Sequence, residues 1–250
     1  MNTLFIGKNF VELSEVDSTN TVAQSLLEAG AAEGTVVLAQ HQTAGRGQQG
    51  SQWLAQPGQN LTFSLVLQPH FLAPRQIFLL NKLIACALRE LVAGILPEST
   101  VQIKWPNDLL VNRRKVAGIL VETALEPARI KSAVVGIGLN VNQWEFDPEL
   151  HGRATSLVLE SGKEHTIRPI LERLLELIEA GYLAIRAGRA DRIEREYLQH
   201  LFAYQEDTEV EIAGQRISAH VVGVDPDGRL ALRHGEGLHF YGVKEVRFIL

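Results

Sequence analysis

The apolar and polar positions change period along the chain, and each change marks an element. Residues 4–16 alternate through Leu4, Ile6, Val11, Leu13 and Val16 and predict a strand. The next stretch sets Val22, Leu26 and Leu27 on one face of a short helix, with Asp17 and Ser18 at its start and Gly30 as its stop. Residues 35–40 (TVVLAQ) and 61–67 (LTFSLVL) are apolar runs that predict buried strands. Residues 75–95 carry Ile77, Leu80, Ile84, Leu88, Leu91 and Val92 at helical spacing, a scaffold helix closed by Gly94 and Pro97. A strand at 101–103 then meets a turn at Pro106, Asn107 and Asp108, and residues 109–111 and 116–121 form a hairpin around Asn112 and Arg113. Residues 133–141 (AVVGIGLNV) are too apolar for a half-exposed strand.

Residues 142–166 are loop-rich. A helical stripe through Ile170, Leu174, Leu177, Ile178 and Tyr182 follows, and the helical stretch 167–201 breaks near Ala187 and Gly188. Beyond Tyr204 the period shortens to two. Segments 208–212, 216–224, 229–232 and 241–249, with turns at 213–214 and at DPDG (225–228), predict a small antiparallel barrel. The pattern therefore divides the chain into a main domain, residues 1–203, and an appendage, residues 204–250.

Composition narrows the function classes. The 250 residues carry a formal net charge of -5, which lacks the basic footprint of a nucleic-acid binder. Cys86, the only cysteine, excludes an internal disulfide framework, fits a reducing compartment and sits in an apolar helical pattern as a core thiol. No apolar run reaches the ~18 residues that span a membrane, and the N-terminus shows no secretory signal. The expectation is a cytoplasmic protein.

Chemistry concentrates in four places. QTAGRGQQGSQW (42–53) surrounds Arg46 with Gly45, Gly47 and Gly50 and ends on Trp53. Such glycines permit positive φ and close approach of a ligand, backbone N–H groups favour anions, and Arg46 adds a planar fork for carboxylate or phosphate. The spacing G-x-G-x-x-G occurs here without a following helix, so it is no dinucleotide fingerprint; no phosphate-binding GxxxxGK[ST] or zinc-binding HExxH is present. Ser18, Thr19 and Asn20 begin a helix, where they cap it, face a ligand, or do both. In KWPNDLLVNRRKVAGILVET (104–123), Lys104 and Lys115 stand beside apolar strand residues, Asp108 follows a rigid turn, and Gly118 interrupts a strand. Gly136, Gly138 and Asn140 share one strand face, giving a flat floor with a buried amide that needs partners. Together these suit a flat or fused-ring ligand and a phosphate-bearing one.

EVDSTN, QTAGRG with its following Trp, KWPNDLLVNRRKVAGILVE and GIGLNVN, in this order and spacing, closely resemble the biotin protein ligases, also called biotin–[acetyl-CoA-carboxylase] ligases. The motifs cover roughly residues 12–145, and residues 204–250 resemble the family's SH3-like C-terminal domain. The resemblance implies an α+β fold: a mixed β-sheet with helices on one side, like the class II synthetases, plus the SH3-like barrel. It implies adenylation of biotin by ATP with Mg²⁺, then transfer to a lysine of a biotin carboxyl carrier protein, by a monomer or homodimer. It assigns Lys115 and Arg46 to catalysis. Asp108 is either a Mg²⁺ ligand or a base toward the acceptor amine. Ser18, Thr19, Asn20, Gln42, Gly45, Arg46, Gly47, Lys115, Gly118 and Gly136 fall to biotin, and Gln48, Trp53, Asn107, Lys115 and Asn140 to the nucleotide.

Gln48, Gln49 and Ser51 depart from the family pattern GRGRRGRxW, and the loss of up to three charges predicts faster leakage of the adenylate. Only about a dozen residues precede EVDSTN, and with the negative charge this leads to an expectation of no DNA binding. The rival readings are a lipoate or octanoate ligase of similar fold and a non-catalytic biotin-binding module. The barrel is expected to help place either ATP or the carrier.

Overall fold

The computed structural model describes residues 2–250; the Gln49 side chain also lies outside the described residues. The elements in order are β1 (Phe10–Val16), α1 (Thr19–Glu28), β2 (Val36–Gln42), β3 (Leu61–Leu67), α2 (Ile77–Ile95), β4 (Val101–Lys104), β5 (Asp108–Val111), β6 (Arg114–Leu125) and β7 (Ile130–Leu139). Then follow α3 (Leu157–Ser161), α4 (Ile167–Arg186), α5 (Asp191–Gln199), β8 (Asp207–Ile212), β9 (Gln215–Val224), β10 (Leu230–His234), β11 (Gly237–Tyr241) and β12 (Val246–Phe248).

The first seven strands form one mixed sheet in the order β1-β2-β3-β7-β6-β5-β4. β1 and β2 are parallel and every other neighbouring pair is antiparallel. Period-two alternation sorts the side chains between the two faces. Val36, Leu38, Leu65 and Leu67 join the large core under α2, α4 and α5. Val37, Val66 and Val134 point the other way and meet Ala23 of α1. The expected one-sided helix layer is therefore α2, α4 and α5, and α1 lies alone on the opposite face. β3 is buried on both faces, which explains its unbroken apolar run.

Residues 4–9 do not extend β1 as the alternation predicts. The backbone N–H groups of Leu4, Phe5 and Ile6 donate to the carboxylate of buried Glu179 at 2.6, 2.8 and 2.9 Å. Those bonds draw the segment away from a sheet ladder. Asn112 and Arg113 take positive φ, 49° and 65°, as the tight hairpin requires. The break between α4 and α5 falls at Gly188, whose φ is 76°. Cys86 is half-buried, and burial followed by the nearby Glu196 pushes its thiol up to about 12, in keeping with a chemically quiet core position.

The last five strands make a second, antiparallel sheet in the order β11-β10-β9-β8-β12. β11 escapes the alternation because its side chains are mostly exposed and carry no burial signal. This sheet is joined firmly to the first. The segment leading into it pairs with β4, Ile103 N–H donating to His200 O at 2.8 Å and Phe202 N–H to Ile103 O at 2.7 Å. The buried Trp105 indole donates to Gly228 O at 2.9 Å. Gly228 has φ 86°, and a Cβ there would lie 2.7 Å from the Phe78 ring, so this turn demands glycine twice over.

Candidate functional site

The site occupies the α1 face of the main sheet, and the strand register explains why it is open there. Asp108, Gly118, Gly138 and Thr62 form one row across β5, β6, β7 and β3. Leu120, Gly136 and Ser64 form the next row, and Glu122, Val134 and Val66 the one after. α1 covers the valine end of this face. At the other end three glycines add no side chains of their own, the floor the sequence predicts, and Asn20, Trp53 and Lys115 lie directly against them.

One wall is the start of α1. Ser18, Thr19 and Asn20 are all buried, and Ser18 occupies the N-cap position without any side-chain capping bond. The Thr19 N–H and hydroxyl both donate to Gln42 Oε1, at 2.7 and 3.0 Å. The Ser64 hydroxyl lies 2.7 Å from Thr19 Oγ1 and 2.5 Å from Asn20 Oδ1. Asn20 Nδ2 donates to Glu122 Oε2 at 2.7 Å. A Cβ on Gly136 would stand 2.2 Å from Asn20 Oδ1, so glycine is what admits this helix end to the sheet.

The opposite wall is the glycine loop after β2, which folds as a small hairpin. Gly47 N–H donates to Ser51 O at 2.8 Å, and Trp53 N–H to Gly45 O at 2.9 Å, with a tight turn at Gln48–Gly50. The Ser51 hydroxyl closes that turn on Gln48 O at 2.8 Å. Of the three glycines only Gly50 uses positive φ, 84°. Gly45 and Gly47 serve close packing instead: a Cβ would lie 2.3 Å from Trp53 O and 2.5 Å from Ser51 Oγ respectively. The Trp53 indole lies over Gly138, and Arg46 Nη2 donates to Glu122 Oε1.

The third wall is charged. Asp108 Oδ1 pairs with Lys115 Nζ at 2.6 Å and Oδ2 with Lys104 Nζ at 3.2 Å. Burial raises the Asp108 pKa, but the two ammonium groups, Lys115 more than Lys104, outweigh it and hold the carboxyl below its usual range. Lys115 Nζ also stands 5.7 Å from the Trp53 ring centre. Among the described residues Asp108 is not part of an all-protein cage for a divalent cation. Both Asp108 oxygens face ammonium groups, and among the described residues no three His, Cys, Asp or Glu side chains gather at a metal-binding distance.

A cavity of about 190 Å³ brings most of the predicted residues together: Ser18, Thr19, Asn20, Gln42, Arg46, Gly47, Gln48, Trp53, Asn107, Asp108, Lys115, Gly118 and Gly136 all line it. Gly45 and Asn140 stand outside its lining. Gly45 is a packing position in the loop. Asn140 lines an adjoining cavity of about 500 Å³ that shares Gln52, Trp53, Asp108 and Lys115 with the first and extends to Arg216 and Arg247 of the second sheet. Asn140 Nδ2 donates to Thr155 O at 2.9 Å, while its buried Oδ1 and the buried Trp53 Nε1 have no partner. Asn107 Nδ2 donates to Ile119 O at 2.8 Å, which fixes the turn before Asp108. Glu122 and Ser64 belong to the site without being singled out from the sequence. The signal for each is a polar residue interrupting an apolar strand run, GILVE and LTFSLVL.

Comparison with known proteins gives one consistent answer. The profile of the Biotin/lipoate A/B protein ligase family matches residues 13–142. The Bifunctional ligase/repressor BirA of Bacillus subtilis (strain 168) is 31% identical over 242 residues, 95% of this chain and 73% of that protein. The Biotin–[acetyl-CoA-carboxylase] ligase of Mycobacterium tuberculosis is 30% identical over 92% of this chain and 86% of its own length. Among solved structures, the biotin protein ligase from Aquifex aeolicus in complex with biotin and ATP superposes with a TM-score of 0.81 at 28% identity, covering 97% of this chain and all of that one.

Proposed function

The chain belongs to the biotin/lipoate A/B protein ligase family, and on that premise we propose that it is a biotin protein ligase, which makes biotinyl-5′-adenylate and pyrophosphate from biotin and ATP and then passes biotin to a lysine of a biotin carboxyl carrier protein. The observation that carries the choice of acid is the polar end of the cavity. Thr19, Asn20 and Ser64 are buried and Gln42 is half-buried, and their hydroxyl and amide groups form one network of donors and acceptors. A fused ring bearing two N–H groups and a carbonyl can satisfy them. The dithiolane of lipoate and the methyl end of octanoate offer this network no hydrogen-bond partner.

We assign Ser18, Thr19, Asn20 and Gln42 to the ring, with Gly118 and Gly136 as the floor. Trp53, Asn107, Gln48 and Asn140 take the nucleotide. The Trp53 indole face suits stacking of a base, and the orphan acceptor of Asn140 suits an amino group. In the first step a carboxylate oxygen attacks the α-phosphorus and the bond to pyrophosphate breaks. Lys115 and Arg46 stabilise the charge that grows on the phosphoryl oxygens. In the second step an acceptor amine attacks the acyl carbon, the bond to AMP breaks, AMP leaves as its phosphate monoester, and the amine sheds its proton to solvent. Asp108 orients Lys115 and holds the incoming amine as a carboxylate, its lowered pKa being poorly suited to strong base catalysis. No step is routed through Mg²⁺, which the nucleotide phosphates and water would largely hold. We place the domain boundary at residues 203–204, with the second sheet as an SH3-like unit. Among the described residues no helix is long and apolar enough to cross a membrane.

The test is ATP–pyrophosphate exchange with biotin, lipoate and octanoate offered separately. Exchange with biotin alone is expected. Exchange with lipoate or octanoate would overturn the ring assignment, and none with any acid would overturn the activity.

A further inference from the structure

Glu122 takes no part in the chemistry above, yet it joins two of its walls. It lies on β6 beyond the glycine floor, in the same face and register row as Val134. Its Oε1 accepts from Arg46 Nη2 of the glycine loop, and its Oε2 accepts from Asn20 Nδ2 of α1. The bonds continue inward from Asn20 to Ser64, Thr19 and Gln42, the residue that ends β2 just before the loop. One carboxylate thus closes a ring of polar contacts around the acid pocket.

We propose that Glu122 is a positioning residue that aims Arg46 through one oxygen and braces Asn20 through the other. A guanidinium carries five donors in a rigid fork, so a single nitrogen held by Glu122 fixes its plane and leaves other donors free. Arg46 also lines the main cavity. On an otherwise glycine-rich loop, that tether is the only side-chain hydrogen bond of Arg46 among the described residues. The proposal rests on the assignment of Asn20 to the acid ring and Arg46 to the phosphoryl oxygens made above.

Trypsin gives a direct reading, because Arg46 is the only lysine or arginine between Lys8 and Arg75. Cleavage after Arg46 requires its side chain to enter the protease, which a tethered guanidinium does not do. Both partners are partly exposed, Arg46 by 45% and Glu122 by 35%, so loss of the charge in Glu122→Gln speeds cleavage about three- to fivefold. The same variant lowers kcat of biotin-dependent exchange about tenfold, and biotin Kd stays within about twofold because the amide oxygen still accepts from Asn20. Glu122→Ala loses both contacts and additionally weakens biotin about fivefold. Glu122→Asp, a methylene short of Arg46, behaves as Glu122→Gln in the cleavage assay. Unchanged cleavage in Glu122→Gln and Glu122→Asp overturns the tether, and faster cleavage with wild-type kcat overturns its role in positioning. Failure of the wild-type protein to bind biotin would refute the pocket assignment instead, while the cleavage comparison would still decide whether Glu122 holds Arg46.

Discussion

The glycines of β7 allow one chemical change to be placed against two different substrates. Gly136 and Gly138 share a strand face, and neither lies at positive φ, so alanine adds a methyl without backbone strain. At Gly136 the new Cβ would stand 2.2 Å from Asn20 Oδ1 and 3.0 Å from its Cγ. Asn20 is only 3% exposed, so it has to leave its bonds with Ser64 and Glu122. One neutral and one charge-assisted bond amount to about 2–4.5 kcal/mol, or a fall in Tm of roughly 5–15 °C. Biotin loses a partner at its ring, so its KM rises about tenfold or more. At Gly138 the Cβ would stand 2.2 Å from Trp53 Cε2 and 2.5 Å from Cζ2. The indole N–H has no partner to lose, so the ring swings away at a stability cost of about 1 kcal/mol or less. The lost stacking of a base is worth about 1–3 kcal/mol, which raises the ATP KM about 5- to 150-fold. Pyrophosphate exchange, with each substrate varied at saturation of the other and thermal unfolding in parallel, separates the two effects. The reasoning fails if Gly138→Ala raises the biotin KM as much as the ATP KM, or if Gly136→Ala acts on ATP alone.

Four further outcomes are expected. Lys115→Ala lowers kcat for exchange about 10²- to 10³-fold, and a variant within tenfold of wild type would remove Lys115 from the phosphoryl site. The native pKa of Asp108 lies below its unfolded value, so the stability it adds is complete above the ordinary carboxylate range and is lost as pH falls through the lowered native value. Lys104→Met removes one ammonium, moves that loss upward and raises the acid-unfolding midpoint; an unchanged midpoint would mean that Lys104 does not hold Asp108. Glu179→Leu strands the three N-terminal N–H groups and costs about 3 kcal/mol or more in urea unfolding, while exchange per folded molecule stays at wild type. Gln48→Arg restores one lid charge and slows release of biotinyl-adenylate in the absence of acceptor by up to about fivefold, and equal release would dismiss the arginine-poor lid as a cause of leakage.

Much of this was legible in the sequence, for reasons that also mark where legibility stopped. β3 reads directly because it is buried on both faces and so is apolar without interruption. The two-residue hairpin at Asn112 and Arg113 reads from local turn chemistry. The glycine floor reads because two residues two apart on one strand must face the same way. Residues 4–9 misled because their apolar alternation was real, but the competitor was Glu179, more than 170 positions away. β11 was missed because an exposed edge strand carries no burial pattern. Glu122 and Ser64 were passed over because their value lies in register: only the pairing of β3, β6 and β7 shows that both face α1 and the pocket. Periodicity reports which face a residue takes, and tertiary register decides what it meets there.

That register also bears on how one site can serve two steps. The small cavity and the large one share Gln52, Trp53, Asp108 and Lys115, and Trp53 lies on the glycine floor. In the proposed reaction the acyl carbon lies beside Lys115, with the acid ring toward α1. The acceptor amine must reach that carbon without displacing the ring or crossing the glycine loop, which leaves the large cavity as its approach. Lys104, Arg153, Arg216 and Arg247 line that side, and the last two belong to the second sheet. The second sheet is fixed to the turn bearing Asp108 through the Trp105–Gly228 bond, so its arginines are held in a constant relation to the reacting groups. On this reasoning the second sheet acts on the transfer step more than on adenylation. Arg216→Ala together with Arg247→Ala is expected to raise the KM for carrier protein about tenfold with exchange kinetics unchanged. Equal loss in both steps would instead place these arginines with the nucleotide.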